Sequence, residues 1–347
     1  MRKILTASKD ATIYQAFRNN NAGLDEILEI GKVVDTSVDS LSATAYATAS
    51  ARTLLYFDLP TTASVPATAS YFLNLKLANA SSVIRNQQII VYQVSRSWDE
   101  GSGYFYQNIK NSNDGATWSK CTSAVSWSSA GGDFLTTSTS QSTTLSSYPL
   151  EDIRVDVTSI IRPYVSQSLQ STFYGLALQF PNTDESNPLN EGNIKVFSTQ
   201  THTIHQPTLE VAWDNQIFST GSLSRIPSLN VKISPSNLRE TYTKGDVDKV
   251  SLVVRDQYPL RSFDSTLRYK NKYYLPSSSY YSIVDVQSNT TIIPFDDYSK
   301  ISTDASGSYV VLDTLPLYKG RFYTLKLKIV SGDYSRIVDT EALFKVE

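Results

Sequence analysis

The chain has 347 residues with 31 basic and 33 acidic side chains, a formal charge of −2. That balance excludes a protein held on nucleic acid or anionic lipid chiefly by net charge. Hydrophobic residues make up 40% and charged ones only 18%, below the ~25% of an ordinary globular domain, so Ser, Thr, Asn, Gln and Tyr must complete the surface.

With 22 Tyr and a single Met, this composition favours an all-β protein with uncharged polar strand faces over a helical enzyme. The length suits about two domains. The one cysteine, Cys121, leaves no internal disulfide framework and no Cys cluster for zinc or iron–sulfur ligation. Met1 to Asp10 opens with two basic residues, but its apolar run stops short of the ~7–15 residues of an export signal. No run of ~20 apolar residues appears anywhere. The expectation is synthesis and folding in the cytosol, with the sequons at Asn79 and Asn289 accidental.

In chain order, period-two alternation predicts strands with one face in a core and one in water. Tyr71, Leu73, Leu75 and Leu77 point one way, Asn74 and Lys76 the other. Ile153, Val155 and Val157 alternate with Arg154 and Asp156; Tyr174, Leu176, Leu178 and Phe180 with Gly175, Ala177 and Gln179. Leu209, Val211 and Trp213 alternate with Glu210 and Ala212, and Tyr323, Leu325, Leu327 and Ile329 with Thr324, Lys326 and Lys328. Turn-rich stretches at 111–115, 182–192, 304–307 and 331–333 separate these runs. The best helix candidate is 158–170, which Pro163 admits only if the helix begins near it, with Thr158 as a cap. Residues 115–148, rich in Ser and Thr, read as extended, irregular chain crossing one end of a sandwich.

Alternation fades after Trp213, and Pro227 and Pro235 follow. The predicted division is 1–215, a linker at 216–223, and 224–347. Residues 1–215 hold 14 basic and 19 acidic side chains, net −5, and residues 216–347 hold 17 and 14, net +3. Opposite signs suit docking, though fields this weak are mostly screened at physiological salt.

The search for chemistry yields little. His202 and His205 stand three apart in a predicted loop, where third neighbours share no face, and no cysteine lies near to complete a metal site. Gly101-Ser102-Gly103 lacks the spacing of a nucleophile elbow, and no phosphate-binding or dinucleotide fingerprint occurs. Asp99-Glu100 and Glu151-Asp152 are adjacent pairs that point to opposite faces in extended chain and do not flank one bond. The chain is therefore read as non-catalytic and without a cofactor. Asp184, Glu185, Asn187 and Glu191 supply oxygen ligands for a calcium candidate outside any EF-hand register, against the alternative of a solvated loop. Aromatic clusters are the stronger lead. Trp98, Tyr104, Phe105, Tyr106, Trp118 and Trp127 fall close together in predicted loops, where rings can stack on sugars or anchor an interface; the competing reading, favoured for Trp98 and Trp213, is that the tryptophans close the end of the core. Tyr273, Tyr274, Tyr280 and Tyr281 flank three serines, a composition suited to surfaces buried between subunits.

The succession Asp10-Ala11-Thr12-Ile13, Arg52-Thr53-Leu54-Leu55-Tyr56-Phe57-Asp58-Leu59, and Val91-Tyr92-Gln93-Val94 leading to Ser97-Trp98-Asp99-Glu100-Gly101 resembles the DNRLRE-type (disaggregatase-related) β-sandwich. Gly115-Ala116-Thr117-Trp118, Gly131-Gly132-Asp133-Phe134, Val155-Asp156-Val157-Thr158, Gly175-Leu176-Ala177-Leu178 and Pro207-Thr208-Leu209-Glu210-Val211 follow in that module's order. The resemblance implies a jelly-roll-like sandwich of the kind seen in carbohydrate-binding modules. In the second half, Tyr281-Ser282-Ile283-Val284-Asp285, Ile292-Ile293-Pro294-Phe295-Asp296, Ser306-Gly307-Ser308-Tyr309 and Arg321-Phe322-Tyr323 resemble segments in virion proteins of large tailed phages.

The expected architecture is therefore an N-terminal jelly-roll-like β-sandwich followed by a smaller immunoglobulin-like β-sandwich. The expected role is a structural component of a phage tail, baseplate, neck or fibre attachment, assembled in the host cytoplasm. Its partners would be other virion proteins and further copies of itself, with no nucleic acid or membrane. The alternative is a carbohydrate-binding or adhesin module recognising a cell-surface polysaccharide.

Overall fold

The computed structural model describes residues 1–34, 48–104, 114–136, 140–145, 151–187, 189–258 and 273–347. The chain is all-β and forms two compact units, one of 4–211 and one that joins 1–3 to 212–347. In the first unit, one sheet runs Arg2–Thr6, Thr208–Ala212, Ser70–Leu75, Ile153–Asp156. The other runs Leu77–Ser81, Asn193–Phe197, Ile27–Val34, Thr48–Tyr56, Leu176–Gln179, Gln87–Gln93, Gln141–Leu145, with Lys9–Tyr14 also paired to Thr48–Tyr56.

Tyr71, Leu73 and Leu75 are buried at every second position, as the alternation requires. Leu77 is not their continuation. The chain passes from one sheet to the other at Lys76, and Asp152 braces the crossing: it accepts the Leu77 N–H at 3.0 Å and pairs with the Lys76 ammonium at 2.6 Å. Two other strands depart from a one-face-wet pattern. All four residues of Leu176–Gln179 are buried: the strand is paired on both edges, and Ala177, on the face opposite Leu176 and Leu178, packs into a cluster with Trp98, Trp118 and Trp127. Glu210, expected outside, is 7% exposed, and Arg154 meets its carboxylate at 3.2 Å.

The helix is Thr158–Ser166, with Pro163 inside it. Proline lacks the N–H that would reach back one turn, yet the helix begins five residues before it. The start is fixed from outside: Asp156 Oδ1 accepts the Thr158 N–H at 2.9 Å. The Thr158 hydroxyl, expected to cap the helix, instead accepts the Tyr71 N–H at 2.8 Å.

The second unit sets a four-stranded sheet (Val231–Pro235, Val247–Asp256, Gly307–Asp313, Ser302–Asp304) against a five-stranded one (Thr241–Tyr242, Tyr334–Val346, Arg321–Ser331, Tyr280–Asp285, Thr291–Ile293). One core joins their inner faces, with Ile233, Val250, Leu252 and Leu312 from the first sheet and Ile283, Leu325, Leu327, Ile329 and Phe344 from the second. Tyr323 ties the corner where its strand begins: its hydroxyl donates to Tyr318 O at 3.0 Å and accepts the Tyr318 N–H at 2.7 Å. A tyrosine bonded to backbone a few residues upstream is the corner device of immunoglobulin-like sandwiches. Burial pushes this hydroxyl's pKa to about 12. Residues 216–223, expected as a linker, are tied into this unit: Ser219 N–H donates to Thr303 O, Thr303 N–H to Ile217 O, and the Gln216 amide to Ser277 O and Ile301 O.

Candidate functional site

Trp118 and Trp127, candidates for loop-borne stacking platforms, are core residues, which corrects that expectation, and Trp98 is a core residue too, in line with the core reading favoured for it. Trp98 is 2% exposed and Trp118 and Trp127 are each 5% exposed. They pack in one cluster with Ala11, Ile13, Leu54, Val94 and Cys121. The indole N–H of Trp98 donates to Tyr174 O at 2.8 Å and that of Trp127 to Thr117 O at 2.8 Å. A ring so placed adds its area to the core, about 3–5 kcal/mol on truncation, and offers no face to a sugar. Tyr104 is 42% exposed. Phe105 and Tyr106 lie outside the described residues.

Arg52 organises this end of the unit. Its guanidinium lies 4.9 Å from the Trp118 ring centre, donates to Gly131 O at 2.8 Å, and forms a two-pronged pair with Glu185 at 3.0 and 2.5 Å. The Lys32 ammonium donates to Glu185 O. This corrects the calcium candidate. Asp184 and Glu185 sit in the short helix Asn182–Ser186, Glu185 is taken by Arg52, and Asp184 accepts from the Gln87 amide at 2.8 Å. Asn187 and Glu191 point into solvent. A cation there would have to displace a guanidinium already in bidentate contact. Among the described residues no group of three or more His, Cys, Asp or Glu is placed to hold a metal. His202 pairs with Glu26 at 3.4 Å, and the His205 ring lies 5.7 Å from that of Phe197.

The segment Ser97 to Gly103 acts as an internal staple, centred on a residue that the sequence reading did not single out. Asn21, 2% exposed, uses both amide hydrogens and both oxygen lone pairs. It donates to Glu100 O at 2.7 Å and Ala116 O at 2.8 Å, and accepts from Gly23 N at 3.2 Å and Gly103 N at 2.8 Å. The packing is close enough to require glycine. A Cβ on Gly23 would meet Glu100 O at 2.1 Å, and one on Gly101, at φ +82°, would meet Asn21 Oδ1 at 2.4 Å. No short motif announces this partner, which lies 79 and 95 residues from the carbonyls that it binds. Of the adjacent acids, Glu100 faces inward: its Oε1 accepts the Asp10 N–H at 3.0 Å. Asp10 is fully buried and Glu100 half-buried.

The second unit presents a different surface. Tyr281 is 6% exposed and belongs to the core, where burial pushes its hydroxyl pKa to about 12; it is withdrawn from the expected binding set. Tyr273, Tyr274 and Tyr280 are half-buried, and Tyr274 meets the exposed Phe218 edge-on at 5.8 Å. Several exposed apolar residues lie elsewhere, on the final hairpin. Arg321–Ser331 and Tyr334–Val346 pair through the two-residue turn Gly332-Asp333, with Gly332 at φ +61°, the geometry of a II′ hairpin turn. Thr241–Tyr242 covers only the far end of the second strand, at Lys345 and Val346. Between 334 and 343 that strand borders no further strand among the described residues. Ser331 and Tyr334 close the turn, so in the alternating antiparallel ladder the N–H and C=O groups of Ser335, Ile337 and Asp339 point to the open edge. Tyr334 is 76%, Ile337 59% and Leu343 56% exposed.

The chain thus belongs, by fold, to the all-β sandwich proteins. No known family profile matches it, and no curated protein does. Among solved structures, a beta-glucuronidase of Bacteroides uniformis aligns at 9% identity and TM-score 0.19, covering 85% of this chain and 26% of that one. The Parabacteroides merdae beta-glucuronidase aligns at 12% identity and TM-score 0.18, covering 85% and 27%. A DUF4785 family protein of Legionella pneumophila aligns at 9% identity and TM-score 0.19, covering 100% and 64%. The chain spans about a quarter of each glucuronidase and under two thirds of the third protein. At these scores the likenesses carry no argument about activity.

Proposed function

We propose that the chain is a non-catalytic structural component of a tailed-phage virion, in the tail, baseplate, neck or fibre attachment, and that it works by docking against other proteins. The observation that supports docking is the open edge of Tyr334–Val346. Ladder groups of Ser335, Ile337 and Asp339 face outward there, beside the exposed Tyr334, Ile337 and Leu343. An open strand edge is a template for a partner strand, and exposed apolar side chains beside it gain by burial, roughly 25 cal/mol per Å². The virion setting rests on the phage-like segments at 281–285, 292–296, 306–309 and 321–323. Its partners would be other virion proteins and further copies of the chain, assembled in the host cytoplasm.

Mass spectrometry of purified, cross-linked particles tests the proposal. It predicts the chain in stoichiometric amount, with links from Lys326 or Lys328, which lie on the strand paired with this edge. Particles that lack the chain would overturn it. The glycan alternative loses Trp98, Trp118 and Trp127 as platforms. The cleft of about 420 Å³ beside the helix, lined by Gln141, Asp156, Ser159, Arg162, Ser166 and Gln167, offers polar groups but no aromatic face. A glycan array with Tyr104→Ala as control decides that reading: retained sugar binding that depends on Tyr104 would favour it.

A further inference from the structure

We propose that Asp10 is a proton-operated latch: as a neutral acid it holds the segment 198–206 against the strand Lys9–Tyr14, and as a carboxylate it lets that segment open. The inference does not depend on the docking reading. Asp10 is 0% exposed, yet its side chain is only half satisfied. One oxygen, Oδ2, accepts the Thr199 N–H at 2.6 Å, while Oδ1 is buried without a hydrogen-bond partner. Beside it stands a second acid, Glu100, whose Oε1 accepts the Asp10 backbone N–H. A buried carboxylate held by Thr199 alone, with one oxygen unpartnered and a like charge nearby, is a costly anion and a tolerable neutral acid.

The charged groups around Asp10 do not relieve that cost. The Lys9 ammonium donates to Trp98 O at 3.2 Å, lies over the Tyr56 and Trp98 rings, and acts on Glu100. Lys195 meets Glu29 at 3.0 Å on the adjoining strands. On the segment itself His202 pairs with Glu26, and His205 packs beside Phe197. Burial foremost, opposed by the Thr199 N–H and, more weakly, the Thr199 hydroxyl, and reinforced by Glu100, pushes the Asp10 pKa to about 7. Burial also raises the Glu100 pKa, against the Asp10 N–H and Lys9.

Outside this tie the segment is held to the unit by the Ser198 N–H on Glu26 O and by the His202 and His205 contacts. Several of its other bonds are internal: the Gln206 amide donates to Thr199 O, Gln200 N–H to the Ser198 hydroxyl, and Thr203 N–H to the Thr201 hydroxyl. When the segment opens, Asp10 meets water and returns to an ordinary carboxylate pKa near ~3.9. The sign follows. The closed form binds the proton more tightly, so closure is strongest below about pH 4, weakens as pH rises toward 7, and levels off above it.

Hydrogen exchange at the Thr199 amide, corrected for intrinsic rate, reads this out in the full chain. Its protection should fall by up to ~tenfold per pH unit between about pH 5 and 7 and then flatten. In Asp10→Asn, which keeps an acceptor for Thr199, the profile should be flat. A carbon-13 titration of the Asp10 carboxyl supplies a readout if that variant does not fold: a midpoint near 7 is expected, and Glu100→Gln should lower it. The proposal is overturned by a midpoint below about 5, by pH-independent protection in the native chain, or by a pH dependence that survives Asp10→Asn and vanishes in a His202→Asn, His205→Asn double variant.

Discussion

Replacing Arg52 with alanine removes the group on which the tryptophan end of the first unit is built. Its side chain is 15% exposed and that of Glu185 8%, so the substitution leaves a buried carboxylate without its bidentate partner and with only the Lys32 ammonium nearby. Such a loss costs about 3–5 kcal/mol. The guanidinium's contact with Trp118 and its bond to Gly131 O lie inside that figure, because the same truncation removes all three. For a unit of roughly 200 residues each kcal/mol moves Tm by about 2–4 °C, giving a fall of roughly 6–20 °C. Urea unfolding followed by tryptophan fluorescence isolates the effect: Trp98, Trp118 and Trp127 lie in the first unit and only Trp213 in the second. The full cycle of Arg52→Ala, Glu185→Ala and the double variant should show the second substitution costing far less once the first is made. A loss below about 1 kcal/mol, or two costs that simply add, would refute the reasoning. So would rescue of Arg52→Ala by calcium, which would return Glu185 to the role of a cation ligand.

Two further substitutions probe the internal ties. Asn21→Ala leaves four backbone groups without their partner, each about 1–3 kcal/mol if buried and unmet; Asn21→Asp should also destabilise, since it deletes both donors to Glu100 O and Ala116 O, and urea midpoints in both variants check this. Tyr323→Phe keeps the ring packing and removes only the corner bonds to Tyr318, so a loss of about 1–2 kcal/mol confined to the second unit's transition is expected. Trp118→Phe and Trp127→Phe should lower stability without altering sugar binding on a glycan array, because neither ring is presented to solvent.

The strand Arg321–Ser331 was the most legible part of the sequence. Tyr323, Leu325, Leu327 and Ile329 alternate with half-exposed Thr324, Lys326 and Lys328, and the structure buries that set. Periodicity reports which face of a local segment is apolar, and where one sheet face packs on a core that is enough. It fails at Leu77, because a strand that changes sheets can keep its alternation through the bend. It fails at Ala177 because the face opposite Leu176 and Leu178 is covered by distant chain that carries Trp98, Trp118 and Trp127. Pro163 misplaced the helix start, since the determining contact is the Asp156 carboxylate rather than proline's preference. The site was less legible for a related reason. A tryptophan in a loop has the same sequence signature whether it plugs a core or meets a ligand, and only burial separates the two. Arg52, Asn21 and Asp10 act through partners 79 to 189 residues away, a distance at which local pattern carries no signal.

Hydrogen exchange along Tyr334–Val346, in the isolated chain and in its native assembly, tests the central claim most directly. Docking through the open edge predicts that the amides of Ser335, Ile337 and Asp339 exchange freely in isolation and become protected on assembly, while those of Arg321–Ser331 are protected in both. Equal exchange of the three amides in the two states would contradict it.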